Sequence, residues 1–138
     1  MALRKLAKDE DSGKHGCPTV YADDDAPTQA GAALVLQGDV VDVGDEAAPR
    51  RHTAARCVWT ADDKVLVLGD RLDESREHEL ENVLPGEAAV SMLAQVLFDD
   101  SRVGRVDDLG DPGRGQVLLT IKARTVRAAR ARHHEETS

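Results

Sequence analysis

The chain has 138 residues, and its 18 Lys and Arg side chains against 26 Asp and Glu give a formal net charge of −8. This length fits one domain, and because only 2% of the residues are aromatic, aliphatic side chains must build the core. No apolar run approaches the roughly 18–20 residues of a membrane helix, and the negative charge argues against general nucleic-acid binding. We therefore expect a cytoplasmic protein with no secretory signal and no membrane contact.

Charge is unevenly distributed along the chain. Residues 9–111 carry 24 acids and 9 bases, whereas residues 112–138 carry 6 bases and 2 acids. One interpretation is a solvated surface with some attraction between the basic end and the acidic body. The other is an acidic docking surface that meets a basic partner and speeds association with it.

The pattern of apolar residues predicts an α+β fold, with a small, mostly antiparallel sheet of about four or five strands and two or three helices. We expect a flexible arm over residues 1–15, a single α+β domain over 16–121 and a basic helical tail over 122–138. A first strand is expected over residues 17–22, with Pro18 at its start because proline donates no hydrogen bond to a sheet.

The first half of the chain predicts further strands and loops. A loop is expected over residues 23–27 and a strand over 33–43, with a bulge or bend at Gly38 and Asp39. After a second loop over 44–54, the pattern predicts a hairpin. Its two strands span 57–60 and 65–68, joined by a polar turn over 61–64, and both faces of the second strand are expected to be covered.

The second half predicts more helix. Acidic residues at the start and helical spacing of apolar residues predict a helix over residues 73–84. A helix is also favoured over 87–98, with a strand over 89–93 as the alternative. The remaining predictions are a long loop over 99–115, a strand over 116–121 and a basic helix over 123–134, which is frayed or forms on contact with a partner.

Two cysteines, Cys17 and Cys57, are too few for a disulfide framework. With His15 and His52 they offer four zinc ligands, but the spacing matches no recognised zinc motif, so buried and inert thiols are favoured. His78 and the pair His133–His134 are expected on the surface. No metal and no cofactor is expected.

The sequence contains an internal similarity between residues 17–43 and 57–73. Each segment runs from a cysteine through an aromatic residue and an Asp-Asp turn to an apolar strand, and then to glycine and aspartate. One interpretation is a strand unit used twice in one sheet. The alternative is a chance product of the high valine, leucine and aspartate content.

Several motifs resemble a group of small, uncharacterised actinobacterial proteins. They are Gly-Cys-Pro-Thr-Val-Tyr at 16–21, Leu-Val-Leu-Gln-Gly-Asp at 34–39, Leu-Pro-Gly-Glu-Ala-Ala-Val at 84–90 and the lead-in Lys-Asp-Glu-Asp-Ser at 8–12. Residues 57–73 resemble the small BldB-like regulators. Such proteins accompany helix-turn-helix transcription regulators, so the resemblance implies an accessory role in gene regulation by protein contact.

Motifs of known catalytic machinery do not occur in the sequence. There is no Gly-x-Ser-x-Gly elbow, and the Gly-rich run at 111–115 lacks the Lys-Ser/Thr of a phosphate-binding loop. The acids at 23–25 and 39–46 lack the alternating spacing of a calcium loop. We expect that the protein is not an enzyme.

The sequence therefore predicts a non-enzymatic accessory regulator that binds a helix-turn-helix regulator or a sigma-type factor, with a homodimer as a further expectation. The expected contact residues are Asp23, Asp24, Asp62 and Trp59, although a lone tryptophan on a strand more often lies in the core. One alternative is nucleic-acid contact through the C-terminal helix. Its expected contact residues are Arg124, Arg127, Arg130 and Arg132. The other is a small metal-binding or ligand-binding protein.

Overall fold

The computed structural model describes residues 3–8, 18–28, 31–41, 56–72, 87–101, 103–110 and 114–137. The strands are β1 (Leu3–Lys8), β2 (Thr19–Thr28), β3 (Gly31–Val40), β4 (Cys57–Trp59), β5 (Lys64–Arg71), β6 (Glu87–Leu93) and β7 (Gln116–Lys122). The helices are α1 (Ala94–Phe98), α2 (Ala123–Thr137) and a single 3-10 turn (Val106–Asp108). No helix among these residues is long and apolar enough to cross a membrane.

The strands form one sheet, and all the pairings between them are antiparallel. Six of them follow the order β1-β2-β3-β6-β5-β4, and β7 pairs with both β3 and β5. Because β3 and β5 each pair with β6 and with β7, these four strands close a ring. The predicted mostly antiparallel sheet with helices is confirmed, but the described residues form seven strands rather than four or five, because β1 lies in the predicted flexible arm and β6 in the segment for which a helix is favoured.

The N-terminal segment is part of this sheet. β1 pairs with β2 from Leu3 opposite Asp23 to Lys8 opposite Thr19, and Leu6 is buried in the main core. The predicted flexible arm is therefore wrong for residues 3–8. The predicted loop over 23–27 is also wrong, because β2 continues through it with a shift of register against β3.

Gly38 lies where β3 passes from one partner strand to another. The β3–β6 register is continuous from Ala33 to Asp39, so the predicted bulge does not occur in that pairing. β7 joins β3 at Asp39 and Val40, and a Cβ atom at Gly38 would lie 2.8 Å from the carbonyl oxygen of Thr120. The glycine therefore permits close approach of the β7 backbone.

The predicted hairpin of β4 and β5 is confirmed, with Trp59 opposite Val65. Residues 65–68 are buried on both faces, as their unbroken apolar run predicts. The side chains of Val65 and Val67 enter the main core. Leu66 and Leu68 enter a second cluster on the other face of the strand.

The predicted helix over 87–98 is wrong for its first seven residues, which form β6, and the alternative of a strand over 89–93 is correct. The strand over 116–121 and the helix over 123–134 are confirmed as β7 and α2. Val126 and Ala129 of α2 are buried in the main core, so this helix is docked on the sheet. The predicted loop over 44–54 and helix over 73–84 lie outside the described residues.

Candidate interaction surface

The turn between β4 and β5 is a short, exposed segment. We call residues 61–64 the hairpin tip, and each of them is exposed. The backbone N–H of Thr60 donates to the carbonyl of Lys64 at 2.8 Å, and the N–H of Lys64 donates to the Thr60 hydroxyl at 3.2 Å. Asp63 takes the left-handed conformation with φ of 61°, which aspartate tolerates in tight turns. Local hydrogen bonds thus define the shape of the tip.

Asp62 presents a carboxylate on this tip. The hydroxyl of Thr60 donates a hydrogen bond to the Asp62 carboxylate, and this bond is the main reason that the pKa of Asp62 lies below its usual range. Desolvation opposes this effect, while the backbone N–H of Asp62 and, least of all, the charge of Lys64 lower the same pKa further. Asp62 therefore carries a full negative charge at neutral pH.

The tip is attached to the start of α2. The backbone N–H of Ala123 donates to the carbonyl of Asp63 at 3.0 Å, and Arg127 Nη1 lies 3.2 Å from the Asp63 carboxylate. The guanidinium of Arg127 also lies 5.3 Å from the centroid of the Trp59 ring, within the range of a cation–π contact. Contacts from α2 thus restrain the tip in addition to the hydrogen bonds within the hairpin.

Trp59 lies beneath the tip in the core. Its side chain is only 3% exposed, and its Nε1 is buried with no hydrogen-bond partner among the described residues. Its carbonyl accepts from the N–H of Gly104 at 2.7 Å. The prediction of Trp59 as an exposed anchor is wrong, and the alternative of a core residue is correct.

Asp23 and Asp24 are neighbours on β2 with different surroundings. Asp23 is only 3% exposed, so its prediction as a surface contact is wrong. Asp24 is exposed and accepts hydrogen bonds from Arg4 at 3.1 and 3.2 Å. These bonds hold the pKa of Asp24 below its usual range. Arg4 also pairs with Glu136 of α2. The four predicted contact residues therefore do not form one exposed surface.

The predicted nucleic-acid residues lie on α2, and Arg127, Arg130 and Arg132 form ion pairs within the chain. Arg127 pairs with Asp63, as described above. Arg130 Nη1 lies 2.9 Å from Asp100, and Arg132 Nε lies 3.2 Å from Glu136. Arg124 is exposed. These ion pairs reduce the charge that the helix presents to a nucleic acid.

The charged side chains at the two ends of α2 have signs opposite to those that the helix dipole favours. Arg124 lies in the first turn, at the positive end, and acids Glu135 and Glu136 lie near the negative end. This order destabilises an isolated helix. Contacts with other elements, such as the pairing of Arg4 with Glu136, offset that cost. The helix is therefore stabilised mainly by its docking.

No metal centre forms within the described residues. They contain no group of three or more His, Cys, Asp and Glu side chains that could hold an ion. Cys57 is a buried thiol outside any disulfide, and His133 packs its ring against Phe98 with 5.8 Å between centroids. The other residues considered as zinc ligands, Cys17, His15 and His52, lie outside the described residues, as does His78.

Strand register brings together two like-charged pairs that the sequence analysis missed. Lys64 of β5 lies directly opposite Lys122 of β7. Asp39 of β3 lies directly opposite Glu87 of β6. We call these the lysine pair and the acid pair. Their members are far apart in the sequence, so only knowledge of which strands pair reveals them.

Comparison with known proteins found no relative of this chain. No protein-family model, no curated protein and no solved structure matches the chain. The resemblance to small actinobacterial proteins and to BldB-like regulators therefore stays a prediction.

Proposed function

We propose that this chain is a non-enzymatic accessory regulatory protein that acts in transcription control by contact with a partner protein. The contact surface is the hairpin tip, and a helix-turn-helix regulator or a sigma-type factor is the partner. The observation that supports this most directly is Asp62, an exposed carboxylate with a lowered pKa on a turn ordered by local hydrogen bonds. Such a group is suited to accept hydrogen bonds from Arg or Lys of the partner.

The attachment of the tip favours this use. The bond from Ala123 to Asp63 and the ion pair of Arg127 with Asp63 restrain the turn before any partner arrives. A restrained loop loses less conformational entropy on binding than a mobile one, so more of the contact energy is retained as affinity. The net charge of −8 also accelerates the approach of a basic partner.

Affinity capture from native lysate with matched variants tests the proposal. Wild-type protein, Asp62→Asn and the control Glu135→Gln are immobilised at low and at high salt, and retained proteins are identified by mass spectrometry. Glu135 is an exposed acid on α2, so the control removes the same charge elsewhere. We expect wild type and the control to retain a transcription regulator at low salt only, and Asp62→Asn to lose it. Equal capture by all three would contradict the role of the tip.

Nucleic-acid contact through α2 is the second candidate, and the exposure of Arg124 and Arg132 on that helix favours it. Deletion of residues 122–138 is not a suitable test, because Val126 and Ala129 belong to the core. Charge reversal of Arg124 and Arg132 removes the contacts and leaves the buried face intact. If this candidate is correct, wild-type protein binds DNA with a strong dependence on salt and the reversed variant does not.

The third candidate, a metal-binding or ligand-binding protein, depends on Cys57 and on residues outside the described part of the chain. Elemental analysis of protein purified without chelators tests the metal form of this candidate. A stoichiometric metal in the purified protein would support the metal-binding candidate, and the absence of metal would reject that candidate.

A further inference from the structure

The side of α2 that faces away from the sheet carries a line of four exposed residues. They are Arg124, Ala128, Ala131 and Glu135. A helix turns by about 100° per residue, so these four positions lie within about 60° of one another around the helix axis. Val126 and Ala129, which are buried in the main core, lie on the opposite side of the helix. We call the four exposed residues the outer stripe.

The outer stripe is complementary to itself when two copies of the helix run antiparallel. Arg124 and Glu135 lie equally far along the helix from the midpoint between Ala128 and Ala131. If two stripes meet about that midpoint, Arg124 of one helix lies opposite Glu135 of the other. A two-fold axis repeats the contact in reverse, so two ion pairs form.

The shape of the outer stripe also suits a second helix. Its spacing of four, three and four residues is the spacing of the seam between two helices of a coiled coil. The distance between packed helices depends on the side chains at the contact, and the two alanines in the middle allow a short distance. The longer side chains of Arg124 and Glu135 can then reach each other at the two ends.

The helix dipole favours the same antiparallel arrangement. Within its own helix, Arg124 lies at the positive end and Glu135 near the negative end, and both placements are unfavourable. Beside an antiparallel neighbour, Arg124 lies next to the negative end of that helix and Glu135 next to its positive end. A second copy of the helix therefore offsets both unfavourable placements at once.

We propose that α2 of one copy of this chain packs antiparallel against α2 of a second copy along the outer stripe, in a symmetric dimer. Arg124 and Glu135 also have interactions within their own chain, and the pairing does not require their loss. A guanidinium carries several N–H donors and a carboxylate accepts several hydrogen bonds, so each group can serve partners in both chains. Because exposed ion pairs contribute little and each copy carries a formal charge of −8, the dimer is expected to be weak.

Exchange of the two charges tests the pairing. Glu135→Arg alone places two cations opposite each other across the interface, and Arg124→Glu alone places two anions there. We expect either change to raise the dimer dissociation constant at least about tenfold, measured by sedimentation equilibrium. The double variant Arg124→Glu with Glu135→Arg restores both ion pairs at unchanged net charge, and we expect its dissociation constant to return toward the wild-type value. An equimolar mixture of the two single variants also restores every pair, and we expect a heterodimer by native mass spectrometry.

The variant Glu135→Arg separates specific pairing from general repulsion. It raises the formal charge by two, from −8 to −6, so general repulsion between copies falls. Specific pairing nevertheless predicts weaker association. The control Asp39→Arg makes the same change of charge at an exposed position on β3, and we expect it to associate at least as well as wild type.

Four results would overturn the proposal. They are a wild-type protein that is monomeric at every concentration, equal association of Glu135→Arg and its control, no recovery in the double variant, and a mixture that forms no heterodimer. Circular dichroism confirms that each variant is folded. If a charge-reversed variant unfolds, Arg124→Gln and Glu135→Gln replace it, and unchanged affinity in them would equally reject the pairing. The dimer does not use Asp62, so its loss leaves the role of the hairpin tip to its own test.

Discussion

The guanidinium of Arg127 lies 5.3 Å from the centre of the Trp59 ring, and the same group lies 3.2 Å from the Asp63 carboxylate. One side chain of α2 thus contacts both a strand of the hairpin and its turn. Because Trp59 is buried in the main core, this contact links the surface of α2 to that core. The C-terminal helix is therefore an integral part of the fold.

Replacement of Arg127 by Gln is expected to destabilise the protein. The change removes the cation–π contact and a half-exposed ion pair, which together correspond to about 1 kcal/mol of unfolding free energy. Trp59 is the only tryptophan, so its fluorescence reports this region directly. We expect a lower urea midpoint and altered Trp59 emission. The control Arg132→Gln removes an exposed ion pair within α2, and an equal effect of both variants would contradict the assignment.

Replacement of Thr120 by Val is expected to preserve or raise stability. The Oγ1 of Thr120 is buried and has no hydrogen-bond partner among the described residues. A buried hydroxyl without a partner is unfavourable, and valine has nearly the same shape. We expect an increase in unfolding free energy of up to about 1 kcal/mol, measured by urea denaturation. A decrease in unfolding free energy of more than about 1 kcal/mol would instead show that the Thr120 hydroxyl makes a hydrogen bond that is absent among the described residues.

The hairpin of β4 and β5 was predictable because all its determinants are local. Apolar strand residues flank a short polar turn in one continuous segment, and the pairing follows from that turn. β6 was harder to predict because its segment, Glu87–Leu93, is rich in residues that also favour helix. Its strand conformation depends on pairing with the distant β3, and the local sequence does not contain that information.

The candidate site was predicted only in part, for a similar reason. The position of Asp62 could be predicted because it lies in the turn of the hairpin, and its exposure could be predicted because that turn is polar. Asp23 was expected on the surface because it begins an acidic run, but its place in β2 buries it. The lysine pair and the acid pair depend wholly on register between distant strands. A sequence pattern defines the side-chain alternation of each strand but not which residue lies opposite.

Replacement of Gly38 by Ala is expected to weaken the junction of β3 with β7. The new Cβ would lie 2.8 Å from the Thr120 carbonyl oxygen, so one backbone must move. We expect a loss of about 1–3 kcal/mol, as for overpacked cores. Gly115→Ala is the matched control. Gly115 has a positive φ of 79°, but a Cβ atom added there would have no neighbouring atom within 4 Å, so backbone strain alone costs about 1–2 kcal/mol.

Hydrogen exchange distinguishes the two glycine variants. Gly38→Ala is expected to accelerate exchange of the amides that join β3 to β7, including that of Val41, which donates to Leu118. Gly115→Ala leaves those amides protected. If both variants show the same exchange pattern, close approach of the β7 backbone is not the reason for glycine at position 38.

Replacement of Arg4 by Gln is expected to raise the pKa of Asp24 toward its ordinary value. The hydrogen bond from Arg4 is the main cause of the lowered pKa, so its removal eliminates that cause. A group whose pKa is lower in the folded state stabilises the protein above its unfolded pKa and loses that effect as pH falls through the folded value. The stability difference between wild type and variant should therefore be largest near neutral pH and shrink in acid.

A titration of the Asp24 carboxyl by NMR measures the pKa shift directly, and urea midpoints at neutral and acidic pH measure the linked change in stability. Lys8→Gln, on the same strand, removes an equal charge and is expected to leave the pKa of Asp24 nearly unchanged. Arg4 also pairs with Glu136, so its replacement removes a second ion-pair contribution to stability. The variant Asp24→Asn isolates this contribution. If Arg4→Gln changes stability with the same pH dependence in that background, Glu136 and not Asp24 is the main partner of Arg4.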